Sequence, residues 1–151
     1  MRESKPGEKV TLIISLTENE INFLAFPPVA DSWLLFGAGY GFEQLARCAW
    51  LQHCEVHYWG DIDTHGFAIL DGLRAHLPQA RSLLMDRATL MAFEAHWGVE
   101  DRPTQRDLHR LDAQERVLYD ALRDNRIRPN LRLEQERIGF EWVRRVIAAL
   151  P

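Results

Sequence analysis

The chain contains little cysteine and little lysine, and it has no net positive charge. Its two cysteines, Cys48 and Cys54, are too few for a disulfide framework and suit a reducing cytoplasm. The formal net charge is −4, so no overall basic field attracts nucleic acid. Lysine occurs only at Lys5 and Lys9, and every other basic residue is arginine. Arginine binds phosphate through two parallel hydrogen bonds, so a nucleic-acid partner would explain the excess of arginine over lysine. Simple codon bias is the alternative explanation.

The sequence also lacks a signal peptide and a membrane-spanning run. Residues 1–9 are charged and contain no apolar core of a signal peptide. The longest apolar stretch, Ile21 to Phe42, is interrupted by Pro27, Pro28 and Asp31. We therefore expect a cytoplasmic protein without membrane contact, and 151 residues fit one domain.

Short apolar strands alternate with amphipathic helices along the first two-thirds of the chain. The predicted strands are Val10–Thr17, Ser32–Phe36, Cys54–Trp59 and Arg81–Met85. This alternation predicts an α/β fold with a parallel sheet of about four strands flanked by helices, as in Rossmann-like proteins.

The last third of the chain is more polar and predicts a helix–strand–helix extension. Its predicted segments are a long loop at Gly98–Asp112, a helix at about Ala113–Asp124, a strand at Leu131–Ile138 and a terminal helix from Phe140. We divide the chain into a tail (1–9), a core (10–97) and a C-terminal extension (98–151). The extension is expected to pack on the core within a single domain.

The stretch Tyr58–Phe67 carries the strongest chemical signal. A strand leads into Asp61 and Asp63, and their i, i+2 spacing projects both carboxylates from the same side. Two neighbouring carboxylates repel each other unless a positive group lies between them. Mg²⁺ prefers oxygen ligands and serves phosphate chemistry, so this pair suggests a divalent cation.

Two further acids, Glu18 and Glu20, follow the first strand. In parallel sheets, ligands bind beyond the carboxyl ends of the strands, so these acids would join the aspartates if the first and third strands are neighbours. Helix capping by Asp63 or Thr64 is the alternative. Capping explains one acid per helix but not paired acids at two strand ends, and the residues alone leave both interpretations open.

Three blocks of the sequence resemble the Toprim domain of topoisomerases, primases and related nucleases. They are most similar to the C-terminal Toprim domain of the Wadjet nuclease subunits, the JetD family, which is related to topoisomerase VI A-type subunits. The blocks are Glu18–Pro27, Tyr58–Phe67 and Arg132–Ile138. Toprim domains bind Mg²⁺ through a glutamate after the first strand and an Asp-x-Asp after the third, which Glu18, Asp61 and Asp63 match. Gly66 matches the glycine of the topoisomerase VI form.

The resemblance implies a metal-dependent DNA endonuclease domain of a bacterial SMC-type anti-plasmid defence system. It implies Mg²⁺ or Mn²⁺ as cofactor, DNA as substrate, SMC-type subunits as partners and a homodimer. Glu18, Asp61 and Asp63 would be the catalytic metal ligands, Glu20 a further candidate ligand, and His65 a contact to phosphate or DNA. The number of metals and the general base stay open.

One departure from the family concerns DNA binding. Such subunits carry an N-terminal DNA-binding region, and nothing before Val10 matches it. On this expectation the isolated domain could bind metal without cutting DNA.

Two other functions remain as alternatives. The chain could be a non-catalytic Toprim-like module for binding or dimerisation in a DNA-processing complex, which needs no metal. A phosphatase-like enzyme with Asp61 as nucleophile is disfavoured, because His65 stands where that pattern has threonine or valine.

Charged residues near the C-terminus give weaker signals. Arg132 and Arg137 are expected to form surface ion pairs with Glu134 and Glu136, and the alternative implied by the resemblance is that these glutamates add to the acidic edge of the sheet. The stretches Arg102–Arg110 and Arg123–Arg132 predict solvated charged faces, with contact to a DNA backbone as the alternative.

Overall fold

The computed structural model describes residues 11–15, 32–36, 47 and 49–150, with only the backbone in the first two ranges. The predicted site residues Glu18 and Glu20 lie outside the described residues.

A small parallel sheet organises the first half of the chain. Its strands are β1 (Thr11–Ser15), β2 (Ser32–Phe36), β3 (Glu55–Trp59) and β4 (Arg81–Ser82), in the order β2-β1-β3-β4. β1 and β3 are parallel neighbours, with Ser15 in register with Trp59. The α/β class with a parallel sheet is therefore confirmed, and so is the premise that the first and third strands lie side by side.

β3 is buried along most of its length. Val56, His57, Tyr58 and Trp59 are all buried, so both faces of the strand are covered, as is usual in parallel sheets. Its bulky aromatic and β-branched side chains favour this extended, covered position.

The helices follow the apolar spacing of the sequence. They are α1 (Thr64–His76), α2 (Arg87–Ala92), α3 (Ala113–Arg123) and α4 (Phe140–Ala148). Shorter 3-10 turns occupy Ala49–His53, Glu94–His96 and Gln135–Arg137. α1 buries Phe67, Leu70 and Leu73, which its 3.6-residue period brings to one face. Phe67 packs edge-on against Tyr119 of α3, with ring centroids 6.3 Å apart.

The second half of the chain contributes a two-stranded antiparallel sheet. Its strands are β5 (Gly98–Val99) and β6 (Leu131–Arg132), with Gly98 opposite Arg132. Just beyond β6, Ile62 and Leu133 exchange backbone hydrogen bonds of 2.9 and 3.0 Å. This bridge fastens the segment after β3 to the C-terminal third of the chain.

Three predicted segments have different bounds in the structure. The fourth strand ends at Ser82 rather than Met85, because Leu84 adopts a positive φ of 60°, which an extended strand cannot contain. The predicted strand Leu131–Ile138 ends at Arg132 and turns into a 3-10 helix. The predicted loop from Gly98 begins with β5, because its backbone pairs with β6. Among the described residues no helix is long and apolar enough to cross a membrane.

Candidate metal centre

Asp61 and Asp63 lie just past the carboxyl end of β3, and both point at the same guanidinium group. Nη2 of Arg132 donates to Oδ2 of Asp61 at 2.7 Å. Nε of Arg132 lies 3.2 Å from Oδ2 of Asp63. The two Oδ2 atoms therefore face the same positive group. Two adjacent carboxylates need a positive charge between them, and in the structure Arg132 supplies that charge.

This position corrects the expected surface role of Arg132. We expected Arg132 to pair with the glutamates beside it in sequence, but its ion pairs are with Asp61 and Asp63. The physical reason is the backbone bridge between Ile62 and Leu133, which brings the end of β6 alongside the two aspartates.

The remaining oxygens of the two aspartates accept backbone hydrogen bonds. Oδ1 of Asp61 accepts from the backbone N–H of Gln135 at 2.8 Å. Oδ1 of Asp63 accepts from the backbone N–H of Gly66 at 2.6 Å, which makes Asp63 the N-cap of α1. The capping role that the sequence left open for Asp63 is thus present, and it uses only one of its two oxygens.

Gly66 is required by the close approach of the chain at this turn. A Cβ at Gly66 would overlap the backbone carbonyl oxygen of Asp61 and would lie 3.3 Å from Oδ1 of Asp63. A side chain here would therefore push apart the turn that carries both aspartates. This geometry gives a physical reason for glycine in the Asp-x-Asp-x-x-Gly pattern.

A third acid, Glu100, lies at the start of α1 and was missed by the sequence analysis. Its buried carboxylate accepts from the backbone N–H groups of Thr64 at 3.2 Å and His65 at 3.0 Å, and from the Thr64 hydroxyl at 2.8 Å. Helix N-termini favour negative charge because their first N–H groups lack partners within the helix. Glu100 and Thr64 are 36 residues apart in sequence, so no local pattern could have paired them.

Burial and neighbouring charge raise the proton affinity of the site. The pKa of Asp63 is raised to about 7, mainly by burial and also by the charges of Glu100 and Asp61, against the lowering effect of the Gly66 hydrogen bond and Arg132. For Arg132, burial opposes the charge, but the hydrogen bond to Asp61 and the charges of both aspartates outweigh it and raise its pKa. Burial and the two aspartates also raise the pKa of the Tyr58 hydroxyl. At Asp63, burial and the neighbouring acids therefore outweigh the pKa-lowering effect of Arg132.

The two aspartates fit a hard divalent cation. Their Oδ2 atoms face the same guanidinium group, and carboxylate oxygens are the preferred ligands of Mg²⁺. Nε of Arg132 has no hydrogen-bond partner in the described chain. Among the described residues, no three His, Cys, Asp or Glu side chains are close enough to hold a metal together. Further ligands would have to be water, substrate or a residue outside the described ranges, such as Glu18.

His65 lies in the first turn of α1, two residues after Asp63, and is exposed. Its backbone N–H is held by Glu100, which leaves the imidazole at the surface. Its predicted contact with a phosphate stays a prediction.

Comparison with known proteins points to one family. The family model described as "Wadjet protein JetD, C-terminal" matches residues 5–147. The match includes the aspartates, Glu100 and Arg132, and it also spans the segments that contain Glu18 and Glu20. No curated protein matches the chain.

Proposed function

Since the chain belongs to the Wadjet JetD C-terminal family and is thus a component of a Wadjet defence system, we propose that it is a metal-dependent DNA endonuclease domain of the Toprim type. The proposed substrate is the phosphodiester backbone of DNA, and the proposed cofactor is Mg²⁺ or Mn²⁺. The proposal includes SMC-type subunits as partners, a homodimer and a cytoplasmic location.

The observation that carries the proposal is that the Asp61 and Asp63 Oδ2 atoms both face one positive group, the Arg132 guanidinium. Both follow β3, and β1 runs parallel beside β3. This is the edge of a parallel sheet where ligands bind in α/β folds. Glu18 is three residues after Ser15, the last residue of β1, in the sequence, which supports Glu18 as the third ligand.

Each residue has a proposed role in phosphodiester cleavage. Asp61 and Asp63 hold the cation, and Glu18 either completes its coordination or deprotonates the attacking water. When bound, the cation polarises the phosphate and stabilises negative charge on the leaving oxygen. His65 contacts a DNA phosphate near the start of α1, and Glu20 is a further candidate ligand.

The test is conversion of supercoiled plasmid to nicked or linear DNA with Mg²⁺ or Mn²⁺, by the chain alone and in the assembled Wadjet complex. Asp61→Asn and Asp63→Asn remove ligand charge with little change of shape, so we expect cleavage to fall by about a hundredfold or more. Chelation with EDTA should abolish it.

Asp101→Asn is the matched control. Asp101 is exposed and follows Glu100 directly, so the substitution removes the same charge close to the site without touching the aspartate pair. It should cut as the parent does. Undiminished cleavage by Asp61→Asn, in protein shown to be folded, would show that the catalytic assignment is wrong.

A second candidate is a non-catalytic module for binding or dimerisation in a DNA-processing complex. The Arg132 ion pairs favour it, because they balance the aspartates partly without metal. Such a module needs neither Mg²⁺ nor Mn²⁺, and Glu18→Ala would leave complex assembly and plasmid defence unchanged. The nuclease proposal predicts that Glu18→Ala assembles normally and loses defence.

A further inference from the structure

We propose that Arg132 is an internal competitor for the metal, which occupies the cation position between Asp61 and Asp63 and must leave when a divalent cation binds. This inference rests on the proposed function, because it concerns the same two aspartates. It gives Arg132 a role that its place among C-terminal charged residues does not suggest.

Arg132 takes the place of a metal ion between the two aspartates, but it makes a good hydrogen bond with only one of them. The Nη2 hydrogen bond to Asp61 is short and charge-assisted. The Nε atom lies 3.2 Å from Asp63 but makes no hydrogen bond in the described chain, so its N–H is poorly aligned. The guanidinium is flat and donates in its own plane, whereas a metal ion takes ligands in three dimensions. Asp63 is thus paired with Arg132 by proximity, without a well-formed hydrogen bond.

A metal and the guanidinium cannot share this position. Both need the Oδ2 atoms of Asp61 and Asp63, and two positive charges at that separation repel each other strongly in a partly buried site. Metal entry therefore costs the two ion pairs of Arg132, and the metal affinity of the native chain is lower by that cost.

Arg132 is able to leave without unfolding its strand. Its side chain is 35% exposed, compared with 4% for Asp63, so solvent reaches one side of the guanidinium. β6 is held by backbone pairing with β5, and Leu133 by pairing with Ile62, so rotation about the side-chain bonds suffices. The displaced guanidinium stays at the edge of the site, where it can bind an oxygen of the substrate phosphate.

The experiment measures Mg²⁺ affinity of the full chain by isothermal titration calorimetry. Arg132→Gln removes the competing charge, so we expect Mg²⁺ to bind about tenfold more tightly than to the native chain. Arg132→Lys retains a charge but cannot bridge both carboxylates, and its affinity should lie between the two. Arg128→Gln is the control, because Arg128 is exposed in the same segment and its loss changes the net charge equally.

The outcomes separate this inference from the proposed function. Equal or weaker Mg²⁺ binding by Arg132→Gln, with native binding abolished by Asp61→Asn, overturns the competitor role and leaves the metal site standing. Equal gains in Arg128→Gln and Arg132→Gln also overturn it, since the effect would then be one of net charge. If no variant binds Mg²⁺ while circular dichroism shows all to be folded, both proposals fail. If Arg132→Gln is unfolded, Arg132→Lys is measured in its place. A Mg²⁺ affinity of Arg132→Lys no higher than that of the native chain overturns the inference.

Discussion

At the scale of single residues, Gly66 shapes the turn that carries Asp61 and Asp63. It leaves room for the Asp61 carbonyl and donates its backbone N–H to Asp63. α1 contains a second glycine, Gly72, where a Cβ would meet nothing within 4 Å. Substitutions at the two positions therefore distinguish a steric requirement for glycine, at Gly66, from the ordinary cost of glycine in a helix, at Gly72.

Gly66→Ala should lower the free energy of unfolding by about 2–3 kcal/mol, because the methyl group overlaps backbone atoms that can move only by opening the turn. Gly72→Ala should raise it by roughly 0.5–1 kcal/mol, since alanine favours helix. Urea denaturation followed by circular dichroism measures both. If Gly66→Ala is as stable as Gly72→Ala, the close approach is not a constraint.

The residues of the site differ in how far the sequence could predict them. Asp61, Asp63 and the cap at the start of α1 lie within a few residues of each other, so their spacing was informative. Arg132 meets Asp61 across 71 residues of sequence, and only the folded backbone brings them together. Glu100 meets α1 in the same way across 36 residues. The spacing of the aspartates predicts a positive charge between them, but the sequence does not indicate which residue supplies that charge.

At the scale of elements, Glu115 fastens α3 to α1 and β4. It forms a capping box with Asp112 at the start of α3, with hydrogen bonds of 2.8 and 2.9 Å. Its carboxylate also accepts from Arg74 of α1 at 2.9 Å and from Ser82 of β4 at 2.8 Å. Burial alone would raise the pKa of Glu115, but the hydrogen bonds from Arg74, Asp112 and Ser82 outweigh it and lower the pKa.

This lowered pKa predicts a stability contribution that depends on pH. Because the folded state holds Glu115 ionised more firmly than the unfolded state does, the contribution is complete at neutral pH. It declines as pH falls below the ordinary value of 4.5 towards the lowered pKa. Glu115→Gln should cost about 2–3 kcal/mol of unfolding free energy at neutral pH, and the difference from the native chain should shrink on acidification.

Urea denaturation across the acid range measures that difference, with Glu94→Gln as the control. Glu94 is exposed, so its substitution should change stability little at any pH. A Glu115→Gln difference that stays constant from neutral pH into the acid range would contradict the account.

The elements also show where sequence patterns predict bounds well. α3 and α4 begin where their apolar periodicity predicts, and β2 has its predicted bounds. The errors fall on short strands, because their ends are set by pairing and by single residues such as Leu84 with its positive φ. Local composition does not contain that information.

At the scale of the whole molecule, the candidate site forms only when distant segments of the chain come together. Asp61 and Asp63 follow β3, Glu100 follows β5, and Arg132 ends β6. The family match spans all of them, at residues 5–147. The class of fold and the family could be predicted from the sequence, whereas the internal counter-ion required the structure.

We propose that Asp61, Asp63 and Glu18 form one divalent-cation site. Electron paramagnetic resonance of free Mn²⁺ during titration of the full chain measures this directly. Asp61→Asn, Asp63→Asn and Glu18→Gln should each weaken Mn²⁺ binding by about tenfold or more, while the exposed control Asp101→Asn should bind as the native chain does. Native-like Mn²⁺ affinity in Asp61→Asn and Asp63→Asn would contradict the account.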